Sequence, residues 1–156
     1  MNFASVPWSI VADGRPAVGG VLAPQSQETL NRITHLTSDL LDAPVACLWL
    51  VDAEDRLWVS STGLIAPVAM MLAYPFCKEM VASGHALAVT DGREIATLAK
   101  SASVRDGMVT AYAGRPLVSA SGRVVGSLFV IDPKARQWTA RELDMLQELA
   151  AVVMAE

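Results

Sequence analysis

Val45-Ala-Cys-Leu-Trp-Leu-Val51 is an unbroken apolar run between Pro44 and Asp52. Successive side chains of a strand point to opposite faces, so a strand with this sequence must be covered on both sides. It reads as a central strand. Beyond the polar turn Asp52-Ala-Glu-Asp55, Leu57–Thr62 reads as its hairpin partner. Asp52, Glu54 and Asp55 suit that turn better than a metal site. A second hairpin joins Tyr112–Ser119 to Arg123–Ile131 through Ala120-Ser121-Gly122. Leu87–Thr90 is a short strand ahead of the Asp91-Gly92 turn.

Helices supply the cover. From Ser26, Leu30, Ile33, Thr37, Leu40 and Leu41 recur at helical spacing, with Ser26 as N-cap and Pro44 as the stop. Thr139-Ala-Arg-Glu142 is a capping box that opens the last helix. In that helix Leu143, Leu146, Ala150 and Val153 form one apolar stripe. Met145, Leu149 and Val152 form a second one on a neighbouring face. Two stripes exceed one core contact, so the second reads as a dimer interface. The uncharged segment 64–75, LIAPVAMMLAYP, reads as an apolar loop before a short helix Phe76–Ala82 that Gly84 ends. Glu94–Asp106 has helical propensity with little period. The order is α-β-β-α-β-(α)-β-β-α, an α+β chain with helices bracketing a mainly antiparallel sheet.

The chain is 53% hydrophobic and 18% charged, against about a quarter charged in a typical domain. That apolar content excludes disorder, and 156 residues suit one domain whose core needs no staple. Net charge is −4 and no run of Lys and Arg exists, which argues against nucleic acid. Leu57–Cys77 lacks charge, but Ser60-Ser61-Thr62-Gly63, Pro67 and Pro75 interrupt it too often for a membrane span. The first charge is Asp13, so no basic signal-peptide start is present. Cys47 and Cys77 form no CxxC pair and read as reduced thiols of a cytoplasmic protein.

The segments LNRITHLTSDLLDAPVACLWLVD, STGL, FCKEMVASGHALAVTDGRE, AYAGRPLVSASGRVVGSLFVID and WTARELDMLQELA together resemble a bacterial GAF domain. The resemblance runs from about residue 26 to 155, so residues 26–156 read as the domain and 1–25 as an apolar arm. Its most specific part is AYAGRPL with GSLFVID, where Gly114 and Gly126 permit close approach and Asp132-Pro133 closes the last strand. The resemblance implies a GAF-like, PAS-related antiparallel sheet of about six strands. The terminal helices would pack on one face, and loops and short helices would enclose a small-molecule pocket on the other. Several family patterns are missing. The Asn-Lys…Phe-x3-Asp-Glu pattern of cyclic-nucleotide binders has no counterpart. Cys77 precedes Lys78 rather than His, which argues against a covalent bilin. Phe129 stands where a Cys is common, and Ile95-Ala-Thr-Leu98 replaces Asp-Pro-Arg-Phe.

The resemblance and the apolar segment together place a small apolar ligand under a 64–75 lid, with Trp49, Trp58, Phe76, Cys77, Met80 and Tyr112 lining its pocket. The competing reading makes 64–75 a buried flap or a dimer surface. Cys47 reads as an inert core thiol. Cys77, at the start of a short helix, would have a lowered pKa, which opens a redox-sensor or methionine-sulfoxide-reductase-like alternative. His35 reads as surface, and His85 as a solvated turn residue that is also the lone haem-ligand candidate. No catalytic triad, HExxH or phosphate loop occurs. The expectation is a non-enzymatic sensory or regulatory module in signal transduction, with its cofactor left open. It would be a homodimer through Met145, Leu149 and Val152, feeding a fused or separate output domain such as a kinase, phosphatase or transcriptional regulator. A dimerisation module with an atrophied pocket is the alternative.

Overall fold

A computed structural model describes residues 24–51 and 57–155. The arm assigned to 1–25 lies almost wholly outside them, as does the Asp52-Ala-Glu-Asp55 turn. The apolar run forms β1 (Val45–Val51), an inner strand paired antiparallel on one side with β2 (Leu57–Thr62). On its other side it pairs with β5 (Val124–Asp132). β4 (Ala111–Val118) continues the sheet, and β3 (Leu87–Val89) ends it. The order is β2-β1-β5-β4-β3, five strands among the described residues rather than about six.

Both faces of the sheet are covered, as the unbroken apolar run requires. Val45, Cys47, Trp49 and Val51 point to one side, where α2 (Ala66–Ser83) lies. Ala46 and Leu48 point to the other, under α1 (Pro24–Leu41) and α5 (Ala140–Ala155). Gly126, opposite Leu50, is needed for that packing of strands. A Cβ there would run into the carbonyl of Trp49 on β1.

α1 begins at Pro24, slightly before the expected Ser26. Its contact with β2 includes a buried hydroxyl pair, Thr34 Oγ1 and Ser60 Oγ at 3.0 Å, and Ser60 Oγ donates to Asn31 Oδ1 at 2.6 Å. α5 starts as its sequence predicts. The Glu142 amide donates to Thr139 Oγ1 at 3.1 Å, and Glu142 Oε1 accepts from the Thr139 amide at 2.9 Å.

The segment 64–75 corrects the loop expectation. From Ala66 on it joins the expected short helix in the single 18-residue helix α2, and the amide of Gly84, its C-cap, donates to the Met80 carbonyl at 2.8 Å. Pro67 sits in its first turn, where a missing N–H costs nothing. Pro75 lies inside the helix and can give no N–H to the carbonyl of Met71. Between β3 and β4 the chain makes a 3-10 turn at Gly92–Glu94 and two single-turn helices, α3 (Ala96–Ala99) and α4 (Ala102–Arg105). Leu98 and Val104 anchor these turns to the α2-side core.

Candidate functional site

Beneath α2, the structure brings together Trp49, Phe76, Cys77 and Tyr112 of the expected pocket, joined by Phe129. Met80 is fully buried and receives the Tyr112 hydroxyl at its sulfur, 3.9 Å away. Trp58 is not among them. Its register partner is Leu50, and it packs in the opposite core beneath the terminal helices. Parity along β2 decides this, because Leu57 and Val59 take the α2 side and Trp58 the other.

The gathered residues pack on one another. Phe76 stacks on Tyr112 with ring centroids 4.9 Å apart, and Tyr112 on Phe129 at 5.5 Å. Gly114, two residues along β4 on the same face, makes room for the Tyr112 ring, since a Cβ there would strike it. The Tyr112 hydroxyl also lies 3.6 Å from Cys77 Sγ. Burial holds the Tyr112 phenol well above its ordinary pKa, with the neighbouring Cys77 adding to the shift.

Cys77 departs from its expected setting. It is well inside α2 rather than at a helix start, far from the positive end of the dipole. Burial pushes its thiol up to about 11, and burial raises Cys47 still further. A thiolate nucleophile needs the opposite shift. His35 and His85 are both exposed, and His85 follows α2 on the surface.

A groove lies elsewhere, on the outer side of α2. At ~100° per residue, Met71, Tyr74, Pro75 and Lys78 fall opposite the buried Ala69, Met70, Ala73 and Phe76. There α2 and the 97–108 segment border a groove of about 520 Å³. Met71, Leu72, Tyr74, Pro75 and Met108 give it apolar walls, with Met71 57% and Met108 56% exposed. Lys78, Glu79, Ser101, Ser103 and Asp106 supply its polar atoms. These residues were not legible as a site. Their one signal is Lys78-Glu79, which ends a charge-free stretch running from Leu57.

On the opposite side of the molecule, Met145 and Leu149 are partly buried against the helix-side core, and Val152 alone of the three is exposed. Leu36 (49%) and Leu40 (48%) are exposed apolar residues of α1.

The GAF domain family model matches residues 25–156. This chain belongs to the GAF family. GAF domains are typically sensory or regulatory parts of signalling proteins. No curated protein matches this GAF chain. Solved structures share its fold at low identity. The GAF domain of a phosphoenolpyruvate-protein phosphotransferase from Coxiella burnetii is 14% identical, with a TM-score of 0.68 over 96% of this chain and 89% of that one. A GAF domain region of a putative membrane protein from Geobacter sulfurreducens PCA is 19% identical, with a TM-score of 0.67 over 84% and 91%. The free methionine-R-sulfoxide reductase of Neisseria meningitidis, in complex with its substrate, is 18% identical, with a TM-score of 0.63 over 95% and 81%. Among the described residues of this GAF domain, no helix is long and apolar enough to cross a membrane. Nor do three or more His, Cys, Asp or Glu gather there as a metal site.

Proposed function

We propose that this GAF domain is a non-enzymatic regulatory module of a cytoplasmic signalling protein, that it homodimerises through its terminal helices, and that it passes a change in their packing to an output domain. Residues 26–156 would form the module and 1–25 a separate apolar arm. The observation that carries the dimer is the exposed apolar surface of the helix pair. Leu36 and Leu40 lie one turn apart on α1, and Val152 and Met154 are exposed on α5. Such residues on a packed helix pair are placed for another helix pair rather than for water. Met145 and Leu149 support α1 and the sheet within the chain, so the interface centres on α1 and the end of α5.

The filled interior beneath α2 favours the variant in which the sheet face is structural. Phe76, Tyr112 and Phe129 occupy it as a stack, and both thiols there are buried and protonated. Sedimentation equilibrium tests the proposal. A dimer is expected for the chain, and Leu36→Glu/Leu40→Glu is expected to give folded monomer. A monomeric parent chain would overturn the reading, as would a dimer that survives both substitutions.

A further inference from the structure

A dimerisation role leaves the outer groove of α2 unexplained. Its volume of about 520 Å³ lies within the ~300–1,000 Å³ of small-molecule sites. Its walls are apolar and adaptable, because Met71 and Met108 present flexible thioethers beside Tyr74 and Pro75. Its charges have both signs. Lys78 and Glu79 are consecutive on α2, and Asp106 stands on the facing segment. Among the described residues neither Lys78 nor Glu79 makes an ion pair, and Asp106 has only a long 3.8 Å contact to exposed Arg105. Ser101 and Ser103 add hydroxyls, and Pro75 leaves the Met71 carbonyl without its usual helix donor.

We propose that this groove binds a small apolar zwitterion of the α-amino-acid class. A purely cationic ligand would bring its charge against Lys78. A purely anionic one would meet Glu79 and Asp106. A zwitterion satisfies both, with its carboxylate toward Lys78 and its ammonium toward Glu79, Asp106 and the Met71 carbonyl. The ligand's apolar side chain then lies along Met71, Tyr74 and Met108. This site sits on the face of α2 turned away from the sheet, and it holds whether or not the terminal helices dimerise.

Methionine-methyl NMR on the intact chain tests the proposal, because Met71 and Met108 report the groove while Met70 and Met80 report the sealed interior. Titration with L-phenylalanine or L-leucine is expected to shift Met71 and Met108 and leave Met70 and Met80 in place. 2-Phenylethylamine and 3-phenylpropanoate, each lacking one charge, are expected to bind about tenfold more weakly than phenylalanine, as are Lys78→Ala and Glu79→Ala with phenylalanine itself. Both substitutions are on exposed positions and leave the core untouched. The proposal is overturned if neither amino acid moves Met71 or Met108, or if the shifts centre on Met70 and Met80. Equal binding of the single-charge analogues, or indifference to both substitutions, overturns it equally.

Discussion

Arg136 Nη2 lies 2.6 Å from Glu142 Oε2, while Glu142 Oε1 caps the amide of Thr139. One carboxylate thus closes the start of α5 and holds a guanidinium that reaches the end of α1. That guanidinium donates to the Leu41 carbonyl at 2.7 Å and the Asp42 carbonyl at 2.9 Å. It also sits 4.2 Å above the Trp138 ring, whose Nε1 donates to the Val89 carbonyl of β3. A single side chain therefore ties both terminal helices to the far edge of the sheet.

Arg136→Ala is expected to destabilise the fold by about 2–4 kcal/mol, because it strips charge-assisted bonds from largely buried acceptors. Arg136→Lys should recover less than half, since an ammonium cannot span the Leu41 carbonyl and Glu142 together. Urea unfolding gives the comparison. A loss within about 0.5 kcal/mol, the range of an ordinary surface change, would show that the hub is ornamental.

Thr139→Ala should cost about 1 kcal/mol through the cap alone. Glu142→Gln keeps an oxygen for the Thr139 amide yet loses the charge facing Arg136. Its effect should therefore overlap with Arg136→Ala, with a coupling of about 1–2 kcal/mol in a double-mutant cycle. Simple additivity would mean that the two roles of Glu142 are independent.

The thiols predict an alkaline limb. Cys77 is held up to about 11 against an ordinary 9.0. The unfolded chain therefore releases this proton first as pH rises. Stability should be flat below pH 9.0 and fall between 9.0 and about 11, with Tyr112 acting in the same direction. Cys47→Ala/Cys77→Ala should flatten the thiol part of that fall in denaturation series. Near neutrality, a disulfide reagent should label neither thiol faster than the chain opens. Rapid labelling of native Cys77 would revive a redox role.

The sequence was most informative where one local signal sufficed. Pro44 and Asp52 bracket β1, and Thr139 with Glu142 starts α5, because terminators and caps act within a few residues. α2 was hidden for a physical reason. Before Lys78 its outer face carries Met71 and Tyr74 instead of charges, so no polar stripe marks the first half of the helix, and two prolines imitate a loop. The face of Trp58 follows from the β1–β2 register, which pairs it with Leu50, and a strand's sequence alone does not say which of its two faces meets which helix layer. Leu149 reads as surplus apolar surface only until α1 is laid beside it. The groove joins Lys78 to Asp106 across an intervening strand, and no spacing rule connects those positions.

Gly114 gives the sharpest test of whether the interior beneath α2 is sealed. A Cβ at this position meets the Tyr112 hydroxyl oxygen first and then the ring itself. The ring cannot swing aside freely, because it stacks against Phe76 and Phe129. Gly114→Ala should therefore cost about 1–3 kcal/mol as overpacking. Tyr112→Phe removes the atom nearest the new methyl, and its hydroxyl partners, Cys77 and Met80, are only sulfurs at 3.6 and 3.9 Å. That substitution alone should cost under about 1 kcal/mol. Combined with Gly114→Ala, it should recover part of the overpacking cost. If Gly114→Ala is neutral by itself, the aromatic stack has slack, and the space beneath α2 can open to admit a ligand after all.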